Sequence, residues 1–212
     1  MISDRLQMIA KMLDKGAIIA DIGSDHALLP CYLVLNDISS KVYAVDNKPG
    51  PMQGALENIS KYQLEGKVLP ILASGLDELA DDVSSIIIAG MGFDTIKMIL
   101  MDNLDKALDL DSLVIQANTD WHLLRSLLKE NNFSIVEENF LISRNKEYLF
   151  IKAVPSKVSN IKNTYVGDLL MDDINYLKFL KEQEELFCGI SQFNDDIKDL
   201  HSNIKQALDT MN

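Results

Sequence analysis

Five short apolar runs, at residues 17–22, 42–45, 68–72, 85–89 and 113–116, are separated by amphipathic stretches long enough to serve as crossover helices. The runs carry the β-branched residues that favour a buried, pleated sheet. Apolar runs of this kind belong to strands covered on both faces, which restricts the chain to an α/β fold with a mostly parallel sheet. Residues 120–131 read as a further helix. Beyond it, residues 134–142 and 148–154 form two more extended runs around the polar Ser143-Arg144-Asn145-Lys146, a predicted hairpin that brings the sheet to six or seven strands.

The composition shifts after residue 155. Residues 155–164 are polar, and two helical stretches follow with Gly189 between them. Val166, Leu170, Ile174, Leu177 and Leu180 share one helical face in the first. In the second, Ile190, Phe193, Ile197, Leu200, Ile204, Ala207 and Met211 recur at alternating steps of three and four, a coiled-coil-like seam. The two stretches should pack as an antiparallel helical hairpin. The expected organisation is therefore a Rossmann-like domain at 1–155 and a helical hairpin at 156–212, within a chain of 212 residues and 47% hydrophobic content that suffices for one main core plus an appendage.

Several classes are disfavoured. No stretch reaches the roughly 18 apolar residues of a membrane span, and the opening Met1-Ile2-Ser3-Asp4-Arg5 mixes charges instead of resembling a signal peptide, so a cytoplasmic protein without membrane contact is expected. Cys31 and Cys188 have no metal-ligand spacing, which predicts buried thiols and no metal site. With 20 basic and 32 acidic residues, the net charge of -12 opposes coating of nucleic acid, so any RNA partner must be held by a local basic patch. The acidic polar faces of the hairpin make it a poor main grip for RNA. The favoured oligomeric state is a monomer.

The most informative local segment is Ala17-Ile18-Ile19-Ala20-Asp21-Ile22-Gly23-Ser24-Asp25-His26, an apolar strand ending in an acid, a glycine and a polar turn. Gly23 allows backbone to approach a ligand closely, and the next helix offers free N–H groups. A dinucleotide site would need G-x-G-x-x-G, whose second and third glycines are missing here. Asp25 stands where it would repel a diphosphate, yet it suits the ammonium of a methionine moiety. The cofactor so indicated is S-adenosylmethionine. Asp46, followed by Asn47, ends the second strand and can accept hydrogen bonds from ribose hydroxyls. Ser74-Gly75-Leu76 follows the third strand, where an adenine ring would lie, and Gly90-Met91-Gly92 ends the fourth, where substrate and cofactor would meet.

These segments resemble one family, the bacterial tRNA adenine-22 N1-methyltransferases (TrmK), of the class I methyltransferases. The resemblance is carried by Arg5-Leu6, by Ala20-Asp21-Ile22-Gly23-Ser24-Asp25-His26-Ala27 with Leu29-Pro30, by Gly50-Pro51 and by Ile88-Ala89-Gly90-Met91-Gly92, and it extends to the terminal hairpin. The chain departs from the family at Asp46 (typically glutamate), Ser74 (typically an acid), Phe93 (typically glycine) and Ala117 (typically proline within Gln-Pro-Asn).

The resemblance implies methyl transfer to N1 of an adenine in tRNA, with the final sheet strand antiparallel. Neutral adenine N1 has an in-plane lone pair, so positioning should outweigh general base catalysis. Asp25, His26 and Asn118 are the candidate catalytic residues, as acceptors for a product ring that is cationic until N6 loses a proton. Arg5, Trp121 and Arg125 are candidates for RNA contact, Trp121 by stacking on a flipped base. Lys41, Lys48, Lys129, Arg144 and Lys146 could join Arg125 in a basic rim. Two rival readings remain at this point: a small-molecule or protein methyltransferase, favoured by the acidic charge, and a cofactor-binding interaction protein without catalysis, motivated by Ser74 and Ala117.

Overall fold

In the computed structural model, which describes residues 2–190 and 195–210, the apolar runs form one seven-stranded sheet. The elements, in chain order, are α1 (Asp4–Met12), β1 (Ile19–Ile22), α2 (Leu28–Leu35), β2 (Val42–Asp46), α3 (Pro49–Lys61), β3 (Val68–Leu72), β4 (Ser85–Met91), α4 (Phe93–Asp102) and α5 (Leu104–Leu108). They continue with β5 (Ser112–Ala117), α6 (Trp121–Glu130), β6 (Phe133–Ser143), β7 (Lys146–Pro155), α7 (Ile174–Ile190) and α8 (Asp195–Asp209). The strand order is β3-β2-β1-β4-β5-β7-β6. The first five strands are parallel, whereas β7 runs antiparallel to both β5 and β6. The Rossmann-like architecture with a terminal strand hairpin is as expected.

Period-two alternation divides the sheet between two cores. Ala20, Ile22, Ile86, Ile88, Leu113 and Ile115 face one layer, where α4, α5, α6, α7 and α8 cover them. Ile19, Val42, Ala44, Ile87 and Val114 face the other, under α1, α2 and α3. Each fully buried isoleucine contributes on the order of 1.5–3 kcal/mol by leaving water. The chain moves from β1 to one side through β2 and β3, then returns to the other side of β1 for β4. This reversal opens a crevice beyond the carboxyl ends of β1 and β4, the usual ligand position in such sheets.

The C-terminal helices pack together, and Tyr176, Leu180, Ile204 and Ala207 join the first core. Three details differ from expectation. Gly189 lies inside α7, which continues to Ile190, so it does not separate the helices. The first helix starts only at Ile174, because the Asp173 carboxylate accepts from the Asn175 and Tyr176 N–H groups at 2.8 and 3.1 Å and caps it there. Ile174 is consequently 82% exposed, the buried face being set by Tyr176 and Leu180. Cys188 is exposed, whereas Cys31 is buried as expected, and burial pushes the Cys31 thiol up to about 11. Phe193 and Met211 of the expected seam lie outside the described residues.

Candidate functional site

The turn after β1 is held by backbone and by one carboxylate. Gly23, at φ +75°, and Ser24 both donate to the Val45 carbonyl, at 2.8 and 3.0 Å. Asp46 Oδ2 accepts from the Asp25 N–H at 3.1 Å, and Asp46 Oδ1 accepts from the Lys48 N–H at 2.9 Å. One carboxylate at the end of β2 thus fixes both neighbouring loops, and each of its oxygens keeps capacity for a further bond. A Cβ on Gly23 would stand 2.3 Å from Met91 Cε, so the first and fourth strand ends approach as closely as a glycine permits.

Around this turn lies a cleft of about 370 Å³. It is lined by Gly23, Asp25, Asp46 and Asn47, by Ser74 and Gly75 after β3, and by Gly90 and Met91 of β4. An adjoining hollow of about 170 Å³ is lined by Arg5, Asp21, Ser24 and His26, and shares Gly23 and Asp25 with the cleft. Burial pushes the Asp21 carboxyl up to about 7, with Arg5 opposing the rise and Asp46 adding to it. The buried Ser24 Oγ has no hydrogen-bond partner within the chain. The exposed His26 ring packs over α3, where its Nδ1 occupies the space of a Cβ on Gly54, and its Nε2 lies 3.7 Å from Asp25 Oδ1.

Gln116, at the end of β5, is fully buried and joins the site from below. Its Oε1 accepts from Arg5 Nη1 at 2.9 Å and from the Gly90 N–H at 3.1 Å. Its Nε2 donates to the Ala117 carbonyl and to Asn118 Oδ1, at 2.9 and 3.2 Å, while Asn118 Nδ2 donates to the Gly90 carbonyl at 2.8 Å. Two donors on Oε1 leave the Gln116 amide one orientation, which in turn orients Asn118.

Other expectations are corrected. Leu76 is wholly buried in the core beneath the third turn and does not line the cleft. Gly92 caps α4 and lines neither hollow. Arg5 points inward to Gln116, so it anchors α1 over the site instead of presenting a free guanidinium. Arg125 is 1% exposed and donates from Nε to Glu138 Oε1 at 2.8 Å, which removes it from any basic rim. Trp121 Nε1 donates to the Ala117 carbonyl, and its ring packs against Phe140 and Phe179 with centroids 6.1 and 5.4 Å apart. Lys41 precedes β2 and pairs with Asp82 at 2.6 Å, and Lys129 ends α6, so both sit at the opposite edge of the sheet.

Lys48, expected only in a basic rim, and Pro51, noted only for the family resemblance, line the cleft at the start of α3, and sequence reasoning missed Thr95, Met98 and Ile99 of α4, which line it as well. The last three are spaced as one helical face directly after Gly90-Met91-Gly92, a signal that periodicity carries. Among the described residues, no cluster of His, Cys, Asp or Glu could hold a metal ion, and no helix is long and apolar enough to cross a membrane.

Comparison with known proteins agrees with this geometry. The family described as "Methyltransferase domain" matches residues 2–151. The chain is 30% identical to the tRNA (adenine(22)-N(1))-methyltransferase of Bacillus subtilis (strain 168), over 99% of this chain and 88% of that protein. Among solved structures it resembles M. capricolum TrmK in complex with S-adenosyl-homocysteine (TM-score 0.89, 27% identity, 100% of both chains). It also resembles B. subtilis TrmK (TM-score 0.85, 28% identity, 98% of this chain and 99% of that one).

Proposed function

The chain belongs to the tRNA (adenine(22)-N(1))-methyltransferase family, and from that premise we propose that it transfers a methyl group from S-adenosylmethionine to N1 of adenine 22 in tRNA. The observation that carries the reading is the set of three carboxylates, Asp21, Asp25 and Asp46, around a glycine turn that lacks a diphosphate cradle. Carboxylates favour a cationic nucleoside and repel a dinucleotide. The unpartnered Ser24 Oγ and the spare capacity of Asp46 are further polar groups awaiting a ligand. The donor thus fits the residues present.

Asp46 would hold the ribose hydroxyls, Ser74 and Gly75 the adenine edge, and Asp21 with Ser24 the methionine end. When bound, S-adenosylmethionine supplies an electrophilic methyl carbon, whose bonding pair stays with sulfur as adenine N1 donates its own pair. The attack needs no strong base, because adenine N1 already holds a lone pair, and the work of the chain is alignment and exclusion of water. Gly90, Met91 and Asn118 form the rim where the acceptor base approaches. The exposed Asp25 carboxylate beside His26 is placed to take the N6 proton that the cationic product sheds.

For tRNA, the patch we propose is Lys48 at the cleft together with Arg144 and Lys146, exposed in the β6–β7 turn on the same edge. The enzyme would act as a cytoplasmic monomer, with 1–155 as the catalytic domain and 156–212 as a helical appendage. The test is incubation with labelled S-adenosylmethionine and unmodified tRNA, followed by nucleoside mapping. Label in 1-methyladenosine at position 22 is expected. Donor binding without transfer to any tRNA would favour a non-catalytic binding protein, and failure to bind tRNA even at low salt would favour another acceptor.

A further inference from the structure

Beyond Asn118 a third hollow, a cavity of about 250 Å³, opens between the loop that follows β5 and the α7–α8 pair. We propose that this cavity seats the acceptor adenine once it is unstacked, so that the C-terminal helices form one wall of the acceptor site. The inference rests on the reading above and adds the place where the base is held.

The chemistry of the walls selects the occupant. Tyr165, Phe179 and Phe187 supply flat apolar surfaces, and Asn118 and Gln183 supply amides able to read a base edge. Arg125 also borders the cavity, but its side chain is almost wholly buried and its Nε is bonded to Glu138, leaving Nη2 alone without a partner, and among the described residues no lysine lines it. A phosphate or carboxylate would meet the Asp120 carboxylate and only a buried arginine already paired with Glu138, whereas an uncharged ring with hydrogen-bonding edges suits the aromatic and amide walls.

The wall of the cavity is tied to the wall of the donor cleft. Asn118 lines the cavity and donates through Nδ2 to the Gly90 carbonyl at 2.8 Å, and Gly90 lines the cleft. A single hydrogen bond therefore fixes the lip of the cavity to the lip of the cleft, at the rim where methyl transfer would occur. The connecting loop is strained: Asp120 adopts φ +56° at the start of α6 with no side-chain capping bond. Such backbone persists where surrounding structure holds it, commonly at ligand-binding loops.

The test uses tRNA and the same RNA with an abasic site at the target position, both binding to the full chain saturated with S-adenosylhomocysteine. Phe187→Ala should weaken the intact RNA about tenfold, the scale of one lost base–aromatic stack, and leave the abasic RNA unchanged. Gln183→Ala should act in the same direction, so the proposal stays testable if Phe187→Ala melts the hairpin. Leu186→Ala, at an exposed position of α7 outside the cavity, should alter neither. Donor affinity should be constant throughout. Equal losses on both RNAs would show the hairpin gripping the RNA body and overturn the proposal, as would wild-type enzyme that methylates tRNA yet binds both RNAs equally. A wild-type chain that methylates no tRNA would instead overturn the underlying reading.

Discussion

Gln116 accepts a hydrogen bond from Arg5 at 2.9 Å, joining the fifth strand to the first helix beside the donor site. The same oxygen holds the Gly90 N–H, and the other end of the amide orients Asn118. Gln116→Leu should leave the guanidinium and the Gly90 amide unsatisfied, at about 1–3 kcal/mol of stability in urea unfolding. Gln116→Glu keeps the acceptors but sets a carboxylate oxygen against the Ala117 carbonyl and Asn118 Oδ1. It should lower kcat by about tenfold or more with donor affinity little changed, a split that steady-state kinetics and calorimetry would resolve.

Asp21 gives the site a pH dependence. Its folded value of about 7 lies above the ordinary 3.8, so between these pH values the folded chain holds more proton than the unfolded one. Its contribution to stability is present in full below about pH 4 and is lost as pH rises to about 7. Asp21→Asn should flatten that part of the stability profile. Because ionised Asp21 attracts a cationic donor, affinity for S-adenosylmethionine should rise from about pH 6 to about pH 8 in the wild type and stay level in the variant.

Gly23→Ala should be damaging through backbone as well as contact. A side chain at φ +75° is strained by about 1 kcal/mol or more, and its Cβ would push Met91 Cε into the cleft. Thermal melts should show a modest loss, while donor affinity should fall about tenfold or further, as calorimetry would show.

Arg125 carries no RNA contact and much stability in this account. Arg125→Ala leaves Glu138 charged and buried, which should cost about 3–5 kcal/mol in urea unfolding. Replacing both partners with apolar residues should be far milder than the sum of the single changes. Refolded Arg125→Ala should retain donor affinity, because the pair lies outside the donor cleft.

The sheet was legible because buried strands appear as apolar runs, and the donor turn because Asp21, Gly23 and Asp46 sit at their ends. Arg125 was misread for a tertiary reason. It lies within the buried stripe of α6 beside Leu124 and Leu128, and its partner comes from β6. A register shift between Ile135 and Glu137 inverts the facing of that strand, turning Val136 outward and Glu138 and Phe140 inward. No alternation pattern predicts such a bulge. The Gln116 network was equally hidden, since its members come together only when α1 is laid across the sheet. Leu76 was misplaced because a turn residue next to Gly75 can face ligand or core, and only packing decides which.

The central claim is that the carboxylate-lined turn binds a sulfonium nucleoside, and calorimetric titration of the wild type and of Asp46→Ala tests it most directly. The account predicts one molecule of S-adenosylmethionine bound per chain, no heat from NAD, and affinity lowered about tenfold or more in Asp46→Ala. Binding of NAD, or unchanged S-adenosylmethionine affinity in Asp46→Ala, would contradict it.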